Sequence, residues 1–543
     1  MLSVRGPRGA TVSMVASERL APDGTVVPAS GLIDAQLQTD RYTLAGKGVE
    51  RWEPSFGYRG FRYVQVEGYP GTPPPDALAA RLVHSNVART GRFASADPLL
   101  GRIDAAATAT ILNNLHGFQT DTPTYEKNGW TGDAQASAGA AARSLGIARV
   151  WTKWLADFRD AQAASGEVPE IVPATPYYGY DKTPGWGLIW GPTTPWDVAA
   201  LILPWELYSS FGDSRVLAQN HDMQRRLVDY TATFIKAPDF RRAAGLSEWA
   251  PAGSLDFTNT RGGGVDAVTT AYFFLEADLL AKSSAAIGVS ADADRYRALA
   301  EAIRAAYNTR YWDGEHGWYR TMDAKGVAGA PTQVQNVLPL AFGMAPEGRE
   351  QSVADAIARD VEKQGLRTGV YGTRYLLEVL SDHGHADLAY KLATRTDAPS
   401  WGWWIANGHS TMFETWSLDS RSRDHHYFAS IADWMRQRLA GLRPGAPGYK
   451  TVLIKPAIPT GLASAEAELD TVQGRAASRW KVADGRLSLT AEIPANAAGE
   501  IWVPLQFGAV AAPAGAEPLR RETGYSVYRA GAGIWEFHTG GLR

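Results

Sequence analysis

The chain has 543 residues and no cysteine. Without cysteine there is no disulfide framework, no thiolate nucleophile and no zinc–thiolate site. No stretch approaches the roughly 20 consecutive apolar residues that cross a membrane as a helix. The opening MLSVRGPRGATVSM also lacks the apolar core of a secretory signal. We therefore expect a soluble chain, from the cytoplasm or the periplasm.

A surplus of positive charge is also missing. The 54 lysines and arginines are outnumbered by 57 aspartates and glutamates, which gives a net charge of −3. Proteins that bind nucleic acids, and surfaces that bind anionic membranes, usually carry a basic excess. The sequence therefore predicts no nucleic-acid partner and no membrane partner.

Signatures of metal and cofactor sites are scarce. There is no HExxH, phosphate loop or G-x-S-x-G, and RGGGV (261–265) lacks the strand–helix context of a nucleotide fingerprint. DHGHAD (382–387) has two histidines and two aspartates, but no further ligands at metal-binding spacing, so a polar loop between helices is the better interpretation. We predict no metal and no cofactor.

Aromatic residues, in contrast, are abundant, with 19 Trp and 22 Tyr. Filling of a large core is the default explanation, and stacking surfaces for sugar rings are the functional one. The length of the chain predicts two or three domains.

Residues 1–88 are typical of β-structure. SFGYRGFRYVQVEGYPGTPPP alternates aromatic or β-branched residues with polar ones and then stops at three prolines. The opening shows no clear first strand. We expect an amino-terminal β-sandwich segment.

Residues 89–442 change to helical periodicity and contain about ten to twelve predicted helices without a short sequence repeat. Six inner–outer helix pairs would form an (α/α)6 barrel, the predicted catalytic domain, with long loops around a cleft at one end. The clearest apolar helical faces are Ile147, Val150, Trp151, Trp154, Leu155 and Phe158, then Met223, Leu227, Tyr230 and Phe234, and then Tyr296, Leu299, Ile303 and Tyr307.

Residues 443–543 return to strand patterns. TVLIKPAI and ASRWKVADGRLSLTAEIPANAAGEIWVPL contain the turn signals ADG and PANAAG. A carboxy-terminal β-sandwich is expected, so the predicted fold is mainly α with flanking β.

The stretch DTPTYEKNGWTGDAQ (121–135) places Asp121, Glu126 and Asp133 around Trp130. A carboxylic acid that donates a proton near neutral pH needs a raised pKa, and burial against aromatic surface beside other carboxylates provides it. Alternatively, these carboxylates cap the next helix and bind backbone amides in turns. The spacing alone leaves both interpretations open.

The same stretch resembles the catalytic signature of family 78 glycoside hydrolases, the α-L-rhamnosidases, D-C-P-x-R-E-x-x-G-W-T-G-D-A. The similarity continues through HSNVARTGRFASADPLLGRI upstream and SWGWWIANGHSTMFETW downstream, and covers nearly the whole chain. It implies an (α/α)6 barrel that hydrolyses terminal α-L-rhamnosyl linkages with inversion, with Glu126 as general acid. It also implies that Asp121 and Asp133 hold rhamnose hydroxyls and that Trp130 packs on the sugar.

Inversion requires a second carboxylate about 6.5–9.5 Å away, so that a water fits between the two. The resemblance places this general base at Glu414 in STMFETW, which matches a family motif like T-T-L-W-E-x-W. Taken alone, Glu414 would be a solvated glutamate at the start of a helix.

Further sugar contacts are implied by the same resemblance. His425 aligns with a sugar-binding histidine, His426 is the less favoured contact of the pair, and one of the two is expected to pack. Trp196 and Trp249 match family tryptophans, and an apolar wall suits the methyl group of a 6-deoxy sugar. Trp205 is expected to pack within its helix, and four further tryptophans remain unranked as wall residues: Trp186, Trp190, Trp401 and Trp403.

The sequence departs from the family at several positions. Tyr125 stands where many members have arginine, Asp197-Val198 where they have Gly-Asp, and Ser247-Glu248 where they have Gly-Asp. Loss of the arginine removes a bidentate donor and puts the choice of substrate in doubt. The sandwich and sugar-binding domains that usually precede the barrel are not in this sequence, so it is either a fragment or one part of a longer product.

Two alternatives remain open at this point. A polysaccharide lyase acting on a rhamnose and uronic-acid polymer would use Tyr125 or His425 as base, and a non-catalytic relative would only bind carbohydrate. All three hypotheses name a carbohydrate partner. The oligomeric state stays open, with a homodimer as one option.

Overall fold

A computed structural model describes residues 1–28, 35–174, 178–183, 189–253, 264–323 and 325–540. The first strands are β1 (Leu2–Arg5), β2 (Thr11–Ser17), β3 (Thr39–Thr43), β4 (Val49–Trp52), β5 (Tyr63–Glu67) and β6 (Gly91–Ser95). Strand β1 pairs with β4, and β2 lies between β3 and β5, all antiparallel. The expectation that no strand opens the chain is wrong. Strands β1 and β2 bury alternate side chains, which pack with Leu44 in a small core: Leu2, Val4, Val12 and Met14.

The central region is helical, as predicted. Its helices are α1 (Pro98–Asn113), α2 (Thr131–Ala142), α3 (Ala148–Ala161), α4 (Thr194–Asp197), α5 (Ala199–Phe211), α6 (Arg215–Phe234), α7 (Val265–Ala286), α8 (Ser290–Tyr311), α9 (Gln333–Ala341), α10 (Glu350–Gln364), α11 (Val370–Asp382), α12 (Ala386–Ala393), α13 (Trp401–Ala406) and α14 (Ile431–Trp434). A short hairpin follows α8, with strands β7 (Trp312–Asp313) and β8 (Trp318–Tyr319).

Six helical segments close into an inner ring. Each of α2, α5, α7, α9 and α11 contacts the next, and the final segment, residues 427–439 around α14, contacts both α11 and α2. Helices α1, α3, α6, α8, α10 and α12 alternate with them along the chain. This arrangement confirms the predicted (α/α)6 barrel.

Side-chain size explains which helices lie inside. Helix α2, TGDAQASAGAAA, is buried at every residue, because its small side chains let neighbouring helices approach from all sides. Helix α3 is amphipathic and buries four residues of its predicted face: Trp151, Trp154, Leu155 and Phe158. The predicted face of α6 ends early, since Phe234 in its last turn is 38% exposed.

The remaining strands are β9 (Leu442–Pro444), β10 (Thr451–Ile454), β11 (Ser464–Thr471), β12 (Gly474–Ala483), β13 (Arg486–Ile493), β14 (Ala498–Pro504), β15 (Val510–Ala511), β16 (Glu517–Glu522), β17 (Tyr525–Ala530) and β18 (Gly533–Thr539). They form sheets ordered β16-β17-β14-β10-β9 and β15-β18-β13-β12-β11-β6. Strand β6, which precedes the first barrel helix, pairs with β11 at the edge of the second sheet. The predicted domain limits 1–88, 89–442 and 443–543 stay predictions.

A buried arginine links three helices of the inner ring through ion pairs. Arg143, at the end of α2, donates from Nη2 to Oδ2 of Asp433 at 2.8 Å and from Nη1 to Oε2 of Glu206 at 3.0 Å. Its Nε also bonds Asp433, and the side chains of Arg143 and Asp433 are 4% and 3% exposed. One guanidinium thus joins α2, α5 and α14.

Replacing Arg143 with methionine should lower the free energy of unfolding by about 3–5 kcal/mol, because it leaves buried carboxylates without their counter-ion. Urea unfolding followed by tryptophan fluorescence measures the change. The control is Arg479→Met, since Arg479 pairs with Glu468 and Glu492 on a solvated sheet face and its loss should cost less than about 1 kcal/mol. Equal losses in the two variants would contradict a special role for Arg143.

Candidate active site

The signature stretch forms an irregular loop, residues 121–130, that leads into α2. Asp121 closes this loop, because its N–H donates to the Asn128 carbonyl and its Oδ1 accepts from the Asn128 N–H, both at 2.9 Å. Asp121 is 1% exposed. Burial, and then the charges of Glu126 and Asp133, raise the pKa of Asp121 well above its usual value. Asp121 therefore binds backbone groups in a turn, which is one of the two roles that the sequence left open for these carboxylates.

Glu126 lies in the turn that Asp121 closes, and its side chain is 9% exposed. Its Oε2 accepts a hydrogen bond from Nε1 of Trp130 at 2.7 Å. Trp130 immediately precedes α2 and stacks on Trp190 with ring centres 5.8 Å apart. The stacked indole therefore orients the carboxylate of Glu126.

Glu414 lies on the loop between α13 and the final barrel segment. It is 2% exposed, so the alternative of a solvated glutamate is wrong. Its backbone N–H donates to the Ser422 carbonyl at 3.0 Å, and the Tyr427 hydroxyl donates to its carbonyl oxygen. The Glu414 carboxylate accepts from Nε and Nη2 of Arg421 at 3.1 and 2.7 Å.

Arg421 joins the two glutamates. The Nη2 atom that binds Oε1 of Glu414 also lies 3.2 Å from Oε1 of Glu126. The two carboxylates, from distant parts of the chain, therefore face each other across a single nitrogen atom. Although burial opposes the charged guanidinium, the Glu414 and Glu126 carboxylates raise the pKa of Arg421 above its usual value.

Asp133 and His425 form a second pair. Asp133 lies in the first turn of α2, and its Oδ1 is 2.5 Å from Nε2 of His425. Nδ1 of His425 is buried without a hydrogen-bond partner among the described residues. His426 is the packing member of the pair, since its Nδ1 contacts Ser137 and Gln119, and burial and His425 lower its pKa to about 3.

Trp196 and Trp249 lie together. Their rings meet edge to face with centres 6.2 Å apart, and Trp196 is 4% exposed while Trp249 is half-buried. Gly132, in the first turn of α2, comes so close to the Trp196 ring that a Cβ there would collide with it. This contact explains why glycine separates Thr131 from Asp133 in the signature.

The other tryptophans considered from the sequence differ in their packing. Trp205 packs on Tyr208 in α5, as expected. Of the four unranked residues, Trp190 contacts Trp130, Trp401 is buried against Trp416 and Trp403 is half-buried in α13. Trp186 lies outside the described residues.

Asp197 and Glu248, which stand at positions where the sequence differs from the family pattern, are both buried. Asp197 accepts from the Thr193 N–H at 2.7 Å, and burial raises its pKa to about 8. Glu248 accepts from the Gly369 and Gly372 N–H groups at the start of α11, and burial raises its pKa to about 7. Since the Trp249 carbonyl accepts from the Val370 N–H at 2.8 Å, Glu248 and its neighbour anchor the turn that holds Trp249.

Within the described ranges, no group of three or more His, Asp or Glu side chains is arranged to hold a metal ion. In DHGHAD, His385 binds Asp355, and Asp382 binds Arg438 and Arg443. None of the helices in the described part of the chain combines the length and apolar character needed to cross a bilayer.

The sequence indicates Glu126, Glu414, Asp133 and His425 as site residues. The fold places Glu126 and Glu414 on Arg421, and Asp133 on His425. The sequence does not indicate Arg421, because nothing in SRSRDHHY (420–427) distinguishes Arg421 from Arg423.

Comparison with known proteins identifies the family of this chain. Residues 88–439 match the bacterial α-L-rhamnosidase six-hairpin glycosidase domain, residues 441–514 match the corresponding carboxy-terminal domain, and residues 1–84 match the concanavalin-like domain. A curated α-L-rhamnosidase from Streptomyces avermitilis is 33% identical over 553 aligned residues, which cover 99% of this chain and 50% of the relative.

Solved structures give the same result. The chain superposes on the crystal structure of Streptomyces avermitilis α-L-rhamnosidase complexed with L-rhamnose with a TM-score of 0.87 and 32% identity, over 99% of this chain and 50% of that one. The α-L-rhamnosidase of Dictyoglomus thermophilum gives a TM-score of 0.88 at 29% identity, over 99% and 60%. This chain thus spans about half the length of the Streptomyces relative. It belongs to the bacterial α-L-rhamnosidases of glycoside hydrolase family 78.

Proposed function

We propose that this chain hydrolyses terminal α-L-rhamnosides with inversion, using Glu126 as general acid and Glu414 as general base. The observation that carries the proposal is the shared contact of both carboxylates with Arg421, whose Nη2 lies 3.2 Å from Oε1 of Glu126 and 2.7 Å from Oε1 of Glu414. Those two oxygens are closer together than the separation of about 6.5–9.5 Å that inversion needs, so the carboxylates must separate when the sugar enters. Glu126 would protonate the leaving oxygen, and Glu414 would remove a proton from the attacking water on the other face of the sugar. Membership of a glycosidase family favours hydrolysis over the lyase alternative.

Arg421 has two roles in this mechanism. Its charge offsets the repulsion between two facing carboxylates. Its Nη2 also occupies the position between their nearest oxygens, where an inverting mechanism needs water. We infer that Arg421 releases Glu126 when the sugar enters and keeps its two contacts with Glu414, so that water takes the place of Nη2.

The remaining groups suit a 6-deoxy sugar. The relatives are named for rhamnose, and the Streptomyces avermitilis structure was solved with L-rhamnose bound. Trp196 and Trp249 offer an apolar wall for the C6 methyl group, while Asp133 and Nδ1 of His425, which has no hydrogen-bond partner among the described residues, offer polar atoms for hydroxyls. Asp121 contributes by closing the loop that carries Glu126.

Glu126→Gln and Glu414→Gln should each lower kcat about 10²–10⁴-fold while folding is retained, because an amide can neither give nor accept the required proton. Release of free rhamnose from an alkyl α-L-rhamnoside is the assay, and circular dichroism checks the fold. Glu362→Gln, on the exposed face of α10, is the matched control and should behave like the wild type. Near-normal turnover in either site variant would remove that residue from its role.

The leaving group of the substrate distinguishes the role of the general acid from that of the general base. A 4-nitrophenolate leaves without protonation, so Glu126→Gln should recover much of its activity on 4-nitrophenyl α-L-rhamnoside. Glu414→Gln should stay inactive on both substrates, because water must still be activated. The reverse pattern would exchange the assignments of acid and base.

The stereochemistry of the first product tests inversion. Proton NMR at early times should show β-L-rhamnose, which then equilibrates with the α-anomer. Initial formation of the α-anomer would contradict the inverting mechanism. An unsaturated product with a new ultraviolet absorbance would instead support the lyase alternative.

Trp249→Ala should reduce discrimination in favour of the 6-deoxy sugar. The ratio of kcat/KM for an α-L-rhamnoside to that for the matching α-L-mannoside, which carries a C6 hydroxyl, should fall by about tenfold or more. Trp205→Ala removes a tryptophan that packs on Tyr208 instead, and should leave the ratio unchanged. An unaltered ratio in Trp249→Ala would exclude it from the methyl-binding wall.

A further inference from the structure

The amino-terminal β segment, residues 1–28 and 35–67, reaches the loops that carry the two candidate catalytic residues. Directly after β2, Arg19 donates from Nη2 to the carbonyl oxygens of Asp419 and Ser420 at 2.7 and 3.0 Å. Both acceptors lie in the loop between Glu414 and Arg421. The segment therefore holds the backbone of the loop that carries the base.

The same segment contacts the loop of the acid. The Gly60 N–H donates to the Pro123 carbonyl at 3.1 Å, and Nζ of Lys127 donates to the Tyr58 carbonyl at 2.7 Å. The Gly60 carbonyl in turn accepts from Nε2 of the buried Gln38 at 3.1 Å. These bonds fix the loop on both sides of Glu126.

Glu18 connects the two loops. Its Oε1 accepts from the Thr124 hydroxyl at 2.8 Å, and its Oε2 accepts from the Arg423 N–H at 2.9 Å. Thr124 precedes Glu126 by two residues, and Arg423 follows Arg421 by two. One carboxylate from outside the barrel thus bridges the acid loop and the base loop.

The burial of Glu18 needs an explanation, since the residue is 6% exposed and a buried carboxylate is costly unless hydrogen-bonded. Both partners of its carboxylate belong to the barrel loops and neither to its own β segment. These loops also meet directly through the 2.9 Å contact of the Ser422 and Thr122 hydroxyls and through the contact of Arg421 with Glu126. The cost of burying Glu18 is therefore offset where the two loops meet.

We propose that Glu18 is a positioning residue that sets the spacing between Glu126 and the Arg421–Glu414 pair, and that the amino-terminal β segment thereby contributes to catalysis. This inference rests on the proposed function. The Glu18 carboxylate bonds Thr124 and Arg423 rather than Glu126 or Glu414. It acts through Thr124 and Arg423, and a displacement of about 1 Å between acid and base is enough to lower the rate.

Three variants test the proposal. Glu18→Ala removes the bridge and should lower kcat about 10–100-fold with a much smaller change in KM. Glu18→Gln should restore most of kcat, because its amide oxygen can accept from the Arg423 N–H and its amide nitrogen can donate to the Thr124 hydroxyl. The matched control is Glu50→Ala, since Glu50 is 9% exposed in the same segment and bonds Tyr42, Ala45 and Gly46, away from the barrel.

Hydrogen–deuterium exchange supplies a readout that needs no activity. Peptides covering residues 118–130 and 411–424 should exchange faster in Glu18→Ala than in the wild type, and should be unchanged in Glu50→Ala. Equal kcat losses in Glu18→Ala and Glu50→Ala, or unchanged exchange in both loops, would overturn the proposal. If the wild type hydrolyses no rhamnoside, the proposed function fails, and the exchange comparison still decides whether Glu18 positions the loops.

Discussion

The site depends on one guanidinium shared between two carboxylates. Glu126 and Glu414 face each other with little solvent access, and two negative charges at that distance repel strongly unless a positive group lies between them. Arg421 supplies that charge and also sets the distance, since one of its nitrogen atoms contacts both residues. We propose that the sugar and the water react between these two carboxylates.

The rest of the fold holds this contact in place. The inner ring carries the loop of Glu126 at the start of α2 and the loop of Glu414 before the last inner segment, which contacts α2. Arg143 fastens that junction from within through Asp433 and Glu206. The amino-terminal strands fasten it from outside through Glu18 and Arg19. Rigid support of this kind is what catalysis by orientation requires.

Much of the fold was predictable, because period and composition are local signals. The helical faces, the barrel, the carboxy-terminal hairpins and the signature around Glu126 are all visible in short stretches of sequence. The sequence pattern does not indicate strands β1 and β2, and β6 (Gly91–Ser95) joins a sheet whose other strands begin only at Ser464. The partners of the site were also hidden: Arg421 and Glu18 sit in ordinary polar stretches, and only tertiary packing brings them to Glu126 and Glu414. The pairing of Asp133 with His425 is of the same kind.

A crystal structure of this chain with L-rhamnose bound tests the central claim most directly. We expect the sugar ring with C1 between Glu126 and Glu414, its methyl group toward Trp249, and Arg421 displaced from Glu126 but still bound to Glu414. Rhamnose bound elsewhere, or bound while Arg421 still bridges both carboxylates, would contradict it.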